Sequence, residues 1–327
     1  MSESPQRPAV SYVRIDAGRA GQRLDNFLFT HLKGVPKSLI YRIIRDGQVR
    51  VNKGRAKQTT RLAEGDEVRI PPVRTSQETV APKVGAGLAE RLARSLIYKD
   101  DQLLVYNKPA GLAVHGGSGI SLGLIETLRA LRPNDQQLEL VHRLDRETSG
   151  CVMVARQRAF LRRLQKLMQA DGITKRYWLL CRGFAGSERT IDAPLLKMMQ
   201  GNERVVRVSR EGKPSVTHFR VLERFGSVQL VEAVLETGRT HQIRVHAAHG
   251  GFPLLGDDKY GDAELNARLR AAGHARMYLH ARSLQFDHPG SGKRLTLEAA
   301  LDEQFELLLM ALRENGEAAV DQKAGDL

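Results

Sequence analysis

From Gly21 onward, apolar residues recur at helical spacing, first Leu24, Phe27 and Leu28, then Leu39, Ile40, Ile43 and Ile44 after a Gly34-Val35-Pro36 break. The spacing predicts two short helices. Asp46-Gly47 then turns the chain into Val49-Arg50-Val51, where alternation predicts a strand, and Gly65-Asp66 leads to another at Val68 and Ile70 before Pro71-Pro72 ends the unit. Residues 1–15 carry no such pattern and are expected to be disordered, which places the first folded unit at 16–75. Residues 76–95, with Pro82, Gly85, Gly87 and few large apolar side chains, read as an interdomain linker. The second unit, 96–313, alternates strand-like runs (Leu103 to Tyr106, Cys151 to Val154, Tyr177 to Leu180, Val228 to Val234) with an amphipathic helix carrying Phe160, Leu161, Leu164, Leu167 and Met168. Strands and helices mixed without a repeating βαβ period predict an α+β fold on a largely antiparallel sheet. Thr237 to His246 reads as donors around one more alternating strand, and residues 314–327 as a flexible tail.

Composition supports two domains with buried cores: 327 residues, 41% hydrophobic and 27% charged. Only two cysteines occur, Cys151 and Cys181, each within an apolar run, so both are expected as buried strand thiols, and a disulfide scaffold or a four-cysteine zinc site is excluded. No stretch approaches the roughly 18 apolar residues of a membrane span, and the polar start, Met1 to Val10, has no apolar signal region. A cytoplasmic protein without a membrane partner is expected.

Charge changes the picture more. The formal net charge is +14, and between His31 and Arg61 nine basic residues (Lys33, Lys37, Arg42, Arg45, Arg50, Lys53, Arg55, Lys57, Arg61) face a single acid, Asp46. A solvated charged face normally intersperses acids, so their scarcity here points to a polyanion, nucleic acid first. The stretch resembles the S4 RNA-binding domain, through Gly-Gln-Arg-Leu-Asp-Asn-Phe-Leu from Gly21 and Ser-Leu-Ile-Tyr-Arg-Ile-Ile-Arg-Asp-Gly-Gln-Val-Arg-Val-Asn from Ser38. That resemblance implies binding to structured RNA through the second helix and the following strand, with Lys37, Arg42, Arg45, Arg50 and Lys53 near phosphates. Such a module anchors by shape and charge, because the deep groove of A-form RNA offers side chains little base information.

Several familiar chemistries fail. His115-Gly116-Gly117-Ser118-Gly119 has no G-x-S-x-G elbow to serve, and neither a dinucleotide fingerprint nor a G-x-x-x-x-G-K-S/T phosphate loop occurs. His241, His246 and His249 match no zinc spacing with a catalytic glutamate and read as strand and loop histidines. No metal and no nucleotide cofactor are therefore expected. What remains is Val141-His142-Arg143-Leu144-Asp145-Arg146-Glu147-Thr148-Ser149-Gly150, a carboxylate between two arginines whose charges should favour its anion. Taken alone it could equally be a surface ion pair of little consequence.

Two further segments accompany it, Lys175-Arg176-Tyr177-Trp178 and Thr237-Gly238-Arg239-Thr240-His241-Gln242-Ile243-Arg244-Val245-His246. Asn107-Lys108-Pro109-Ala110-Gly111 lies upstream and Gly256-Asp257-Asp258-Lys259-Tyr260-Gly261 downstream. Together they resemble the RluA family of RNA pseudouridine synthases over about Leu96 to Gln304, and His-Arg-Leu-Asp-Arg-x-Thr-Ser-Gly is highly specific for it. Phe252, where the family often has histidine, and Gly256, where close relatives carry a bulkier residue, are departures outside the catalytic segments.

The resemblance implies isomerisation of uridine to pseudouridine without a cofactor. Asp145 would be the essential carboxylate, Arg244 its basic partner, and Tyr177 the aromatic that stacks on the base and assists at the C5 proton, the last needing a lowered pKa or a water relay. Arg239 would be a supporting donor, and His142, Arg143 and Arg146 would hold the displaced strand once the uridine is flipped out. Whether Asp145 attacks C1′ or C6 or takes a ribose proton stays open. Subfamily features, including Arg-Val-Ser-x-Glu-Gly-Lys-Pro-Ser from Arg207, imply large-subunit ribosomal RNA as substrate, with small-subunit rRNA or tRNA as the alternative, and a monomer. A non-catalytic RNA-binding or assembly factor and a DNA-binding regulator are the competing classes. The second lacks any helix-turn-helix or zinc-module pattern.

Overall fold

The computed structural model describes residues 10–32, 35–73, 84–116, 122–135, 137–201 and 203–321, and the chain divides into two units, 1–83 and 84–327. The expectations for residues 1–9 and 322–327, linker residues 76–83, Lys33, Gly34 and the side chain of Lys37 lie outside the described residues.

In the first unit the helices α1 (Leu24–His31) and α2 (Lys37–Arg45) accompany a four-stranded sheet of order β1-β4-β2-β3, formed by β1 (Ser11–Arg14), β2 (Arg50–Val51), β3 (Gly54–Arg55) and β4 (Glu67–Ile70). The apolar spacing places Leu24, Phe27, Leu28, Ile40, Ile43 and Ile44 in one buried cluster with Val49, Val68 and Ile70. Strand β1 corrects the expected disorder of residues 1–15: Ser11 to Arg14 pair antiparallel with Ile70 to Glu67, and Ile15 is buried. The signal was weak because the strand is short and mostly exposed. Between β2 and β3, Val51 pairs with Gly54, and Asn52 and Lys53 both have positive φ, 48° and 66°. This is the two-residue hairpin turn whose twist suits the strands, with lysine where glycine is usual.

The second unit begins with α3 (Ala86–Arg94), which corrects the linker assignment for its C-terminal half. Gly85 and Gly87 masked a run of helix formers whose Leu92 is buried in the main core. There follow β5 (Leu96–Lys99), β6 (Leu103–Lys108), α4 (Leu124–Leu131), β7 (Glu139–Leu140), β8 (Ser149–Ala155), α5 (Arg158–Gln169) and β9 (Ile173–Arg182). The chain continues through β10 (Glu188–Asp192), β11 (Leu195–Gln200), β12 (Glu203–Val208), β13 (Val216–Phe225), β14 (Val228–Leu235) and α6 (Gln242–His249). It ends with α7 (Ala263–Ala271), β15 (Leu279–Asp287), β16 (Arg294–Glu298), α8 (Glu303–Asn315) and α9 (Ala318–Asp321). Ten strands form one sheet, β10-β13-β14-β9-β15-β8-β6-β5, with β16 on β15 and β7 on β8, while β11 and β12 form a separate hairpin. Among these pairings only β8 with β15 is parallel, so the fold is the expected α+β with a mostly antiparallel, mixed sheet.

Two other boundaries change. The supposed tail from 314 contains the end of α8 and all of α9, whose Val320 is buried in a cluster with Leu308 and Leu312. The supposed strand near His241 to His246 is helix α6. Gln242, Ile243, Val245, His246 and Ala247 are all buried, and a short run buried almost all round has no face from which its period can be read. Cys151 and Cys181 are buried strand thiols as expected. Phe252 is fully buried edge-on to Phe184 and Phe219, and Gly256 has φ 72° with space for no side chain: a Cβ there would lie 1.7 Å from the Arg276 carbonyl oxygen. Among the described residues no helix is long and apolar enough to cross a membrane.

Candidate active site

The centre of the sheet, β9-β15-β8, builds the site. Tyr177 on β9 sits opposite Ala281 on β15, which sits opposite Gly150 on β8. Gly150 has φ 107°, and a Cβ there would be 2.3 Å from the Ala281 carbonyl oxygen, so only glycine lets the two parallel strands meet directly after the Asp145 loop. That loop is closed by the Thr148 amide donating to the Asp145 carbonyl (3.2 Å). Lys108 fastens it from behind. Its fully buried ammonium donates to the carbonyls of Pro109 (3.0 Å), Leu112 (2.7 Å) and Arg146 (3.0 Å), joining the end of β6 to the residue after Asp145. Burial pushes this lysine down to about 7, against the pull of Glu147 and Asp145.

Asp145, Tyr177 and Arg244 line one solvent-open cavity of about 70 Å³, together with Arg143, Arg239 and His241. Among the described residues Asp145 is the only carboxylate on its wall. Arg244 reaches it from α6 with Nη1 3.2 Å from Oδ2. The same guanidinium is gripped bidentately by Asp257, Nε to Oδ2 and Nη2 to Oδ1, both 2.7 Å, and Asp257 is itself held by the amides of Lys259 and Tyr260. Burial disfavours the charge on Arg244, yet Asp257 first and Asp145 second hold its pKa above the ordinary value. Asp257 is buried too, and Arg244 keeps its carboxyl below the usual range. A fork fixed on one side in this way aims its remaining N–H at a set point. The Tyr260 ring lies 5.0 Å beneath the guanidinium.

The cation that meets Asp145 is thus Arg244, not its sequence neighbours. Arg146 donates to the Gly111 carbonyl (3.1 Å) and pairs with Glu147, and Arg143 is exposed on the cavity rim. His142 corrects an expectation as well: its Nε2 accepts the Met153 amide (3.1 Å), and burial pushes the ring down to about 4, a neutral strut of the sheet and not a holder of RNA. Burial, with the Asp145 charge added, pushes Tyr177 well above the ordinary phenol value, so the lowered pKa that direct proton abstraction would need is absent. Arg239 is exposed on the wall, its Nε bonded to the Pro214 carbonyl (3.1 Å). His246 is a satisfied core histidine between Thr217 and the Ala193 carbonyl.

Sequence reasoning missed three contributors. Asp257, Tyr260 and Lys108 were visible only as parts of family-like segments, and the one signal for Asp257 was a carboxylate thirteen residues beyond an arginine that needed a partner.

In the first unit Arg42, Arg45, Arg50 and Lys53 are exposed, and among the described residues none has a carboxylate partner. Arg50 and Lys53 line a groove of about 580 Å³ with Arg69 and the exposed Tyr12, two residues the sequence reading left out. Among the described residues no cluster of three or more His, Cys, Asp or Glu could hold a metal ion.

The fold agrees with the comparisons to known proteins. The family model of the RNA pseudouridylate synthases matches residues 102–249 and that of the S4 domain matches 22–68; the chain belongs to the RNA pseudouridylate synthase family. It is an enzyme that isomerises uridine in RNA to pseudouridine. Among its relatives, the ribosomal large subunit pseudouridine synthase C of Yersinia pestis is 53% identical over 94% of this chain and 97% of the relative. That of Escherichia coli K12 is 52% identical over 94% and 98%. In structure the chain is similar to human RNA pseudouridylate synthase domain containing 4, 31% identical with a TM-score of 0.58, over 69% of this chain and 96% of that one.

Proposed function

We propose that the protein isomerises specific uridines of large-subunit ribosomal RNA, acting as a cytoplasmic monomer, with Asp145 as the catalytic carboxylate. The observation that carries the assignment of Asp145 is its standing as the sole carboxylate on the cavity wall among the described residues, aimed by Arg244, which Asp257 locks in turn. The reaction breaks the N1–C1′ bond, turns the base and joins C5 to C1′; the C5 proton leaves and N1 gains one, so no redox partner is needed. A fixed carboxylate serves it as nucleophile or as counter-charge to a positive C1′. Tyr177, a protonated phenol beside Asp145, offers its ring to the base and its hydroxyl as a donor. A stacked uridine cannot present C1′ and both base faces, so it enters flipped, with Arg143 and Arg239 at the rim for the flanking phosphates. Arg42, Arg45, Arg50 and Lys53, with the backbone of Lys37 at the start of α2, form the anchoring surface for folded RNA. The substrate reading follows from near-full-length identity to synthases named for the large ribosomal subunit.

Carbodiimide primer extension on rRNA from cells lacking the gene, complemented with wild type or with Asp145→Ala, tests both parts. Large-subunit stops restored by the wild type alone support them. Stops lost and regained only in small-subunit rRNA or tRNA would overturn the substrate.

A further inference from the structure

Four non-glycine residues among those described have positive φ, and one of them, His241 (54°), lies in the cavity wall at the start of α6. Such backbone costs of the order of 1–3 kcal/mol and persists where the surroundings over-determine it. Of the His241 ring nitrogens, Nδ1 is within hydrogen-bond distance of a partner and Nε2 faces Asp145 from just outside it. Nδ1 is 2.8 Å from the Tyr260 hydroxyl, and Nε2 is 3.9 Å from Oδ1 of Asp145, the oxygen that Arg244 leaves free.

The Tyr260 hydroxyl also accepts the Val206 amide of β12 (3.1 Å). The hydroxyl keeps its own proton after accepting from Val206, and Nδ1 at 2.8 Å is placed to take it. In that arrangement the ring proton sits on Nε2, on the side of Asp145. Around the ring stand Asp145, Asp257, Arg244, Lys259 and Tyr260. Burial is the largest influence and lowers the histidine's pKa, so the ring stays neutral.

Beyond Tyr260 lies the β11–β12 hairpin. A two-stranded hairpin is marginal by itself. This one is held by Leu195 and Val206 packed on Val245, by Tyr260, and by Lys259, whose ammonium donates to Glu203 Oε1 and the Arg204 carbonyl, both 2.7 Å. Its outer positions, Lys197, Met198, Met199, Arg204 and Arg207, are exposed. Basic and soft apolar side chains on one arm suit a nucleic acid strand, phosphates to the former and bases to the latter.

We propose that His241 is a positioning residue for Asp145 under the control of this hairpin: RNA bearing on β11–β12 shifts Tyr260 and brings the His241 Nε2–H onto Asp145 Oδ1. The carboxylate is then fixed at both oxygens only when substrate is seated. This rests on the reading of Asp145 as the catalytic carboxylate.

The test is single-turnover kinetics on an rRNA fragment with RNA affinity measured in parallel, on Tyr260→Phe, His241→Ala and His241→Gln. Misdirecting a reacting group costs up to about 100-fold. The expected result is a rate about 10-fold to 100-fold lower for Tyr260→Phe and His241→Ala, affinity within about twofold, and recovery of most of the rate by His241→Gln, which returns an N–H near Nε2. Nitrogen-15 spectra of the histidine rings should show His241 as Nε2–H in the wild type and as a tautomer mixture in Tyr260→Phe. A wild-type rate or an unchanged tautomer in Tyr260→Phe overturns the proposal, as does loss of affinity in place of rate. Asp145→Asn, run alongside, separates the cases: if it still turns over, the catalytic assignment itself has failed; if it is dead while Tyr260→Phe is fully active, only the role of His241 has.

Discussion

In the S4 unit Arg42, Arg45, Arg50 and Lys53 stand exposed without a carboxylate partner among the described residues, whereas in the synthase unit Arg244, Arg276 and Arg156 are drawn inward against Asp257, Asp302 and Asp135. Exposed cations without partners keep their full attraction for phosphate, are screened by salt, and fix little in space. Cations drawn inward and matched to carboxylates attract little from afar but hold a fork within tenths of an ångström. On the function proposed above, the same residue types serve capture in one unit and aim in the other.

Lys108 strains the comparison most, being a fully buried lysine bonded to carbonyls and, among the described residues, to no carboxylate. Lys108→Met leaves three buried carbonyls without a donor, and chemical denaturation should report a loss of about 4 kcal/mol. The sign with pH follows from burial: between about 7 and the ordinary lysine value the unfolded chain binds the extra proton, so this residue's contribution to stability rises with pH across that window. The rise should vanish in Lys108→Met; a stability curve of unchanged slope would show that the ammonium is not strained by burial.

Next comes the locked fork. Asp257→Asn keeps the shape but loosens Arg244, and single-turnover rates should fall about 100-fold with RNA affinity nearly unchanged. A fall in affinity instead would make Arg244 a capture residue, erasing the contrast between the units. The triple substitution Arg42→Ala, Arg45→Ala, Arg50→Ala should do the opposite, leaving the saturated rate intact while lowering the slope of log affinity against log salt by roughly 2. The smallest effect sharpens the comparison at one residue. Lys53 occupies the left-handed region that glycine prefers, so Lys53→Gly should stabilise the S4 unit by up to about 1 kcal/mol and yet weaken RNA binding, measured by melting and by gel shift.

What the sequence made legible divides along the same line. The helices of the S4 unit and the strands β6, β8, β9 and β14 have strong one-sided or continuous apolar patterns, and the expected residues lie in them. Helix α6 was misread because Ile243, Val245 and Ala247 alternate like a strand while the helix is buried nearly all round. Helix α3 was hidden by two glycines. Asp145, Tyr177 and Arg244 were found through motif likeness, and they do share one cavity. Asp257, Tyr260 and Lys108 act through contacts with residues 13, 19 and 38 positions away, which no local pattern encodes. His142 misled because a histidine beside arginines looks like a surface donor, when its ring spans to the Met153 amide.

The central claim is that the single carboxylate of the cavity performs the chemistry. Tritium release from an rRNA fragment carrying 5-tritiated uridine, measured under single-turnover conditions for Asp145→Asn with its RNA affinity determined in parallel, tests it most directly. The account predicts release slowed by at least about 1,000-fold with affinity within about twofold of the wild type. Release within about tenfold of the wild type at undiminished affinity would contradict it.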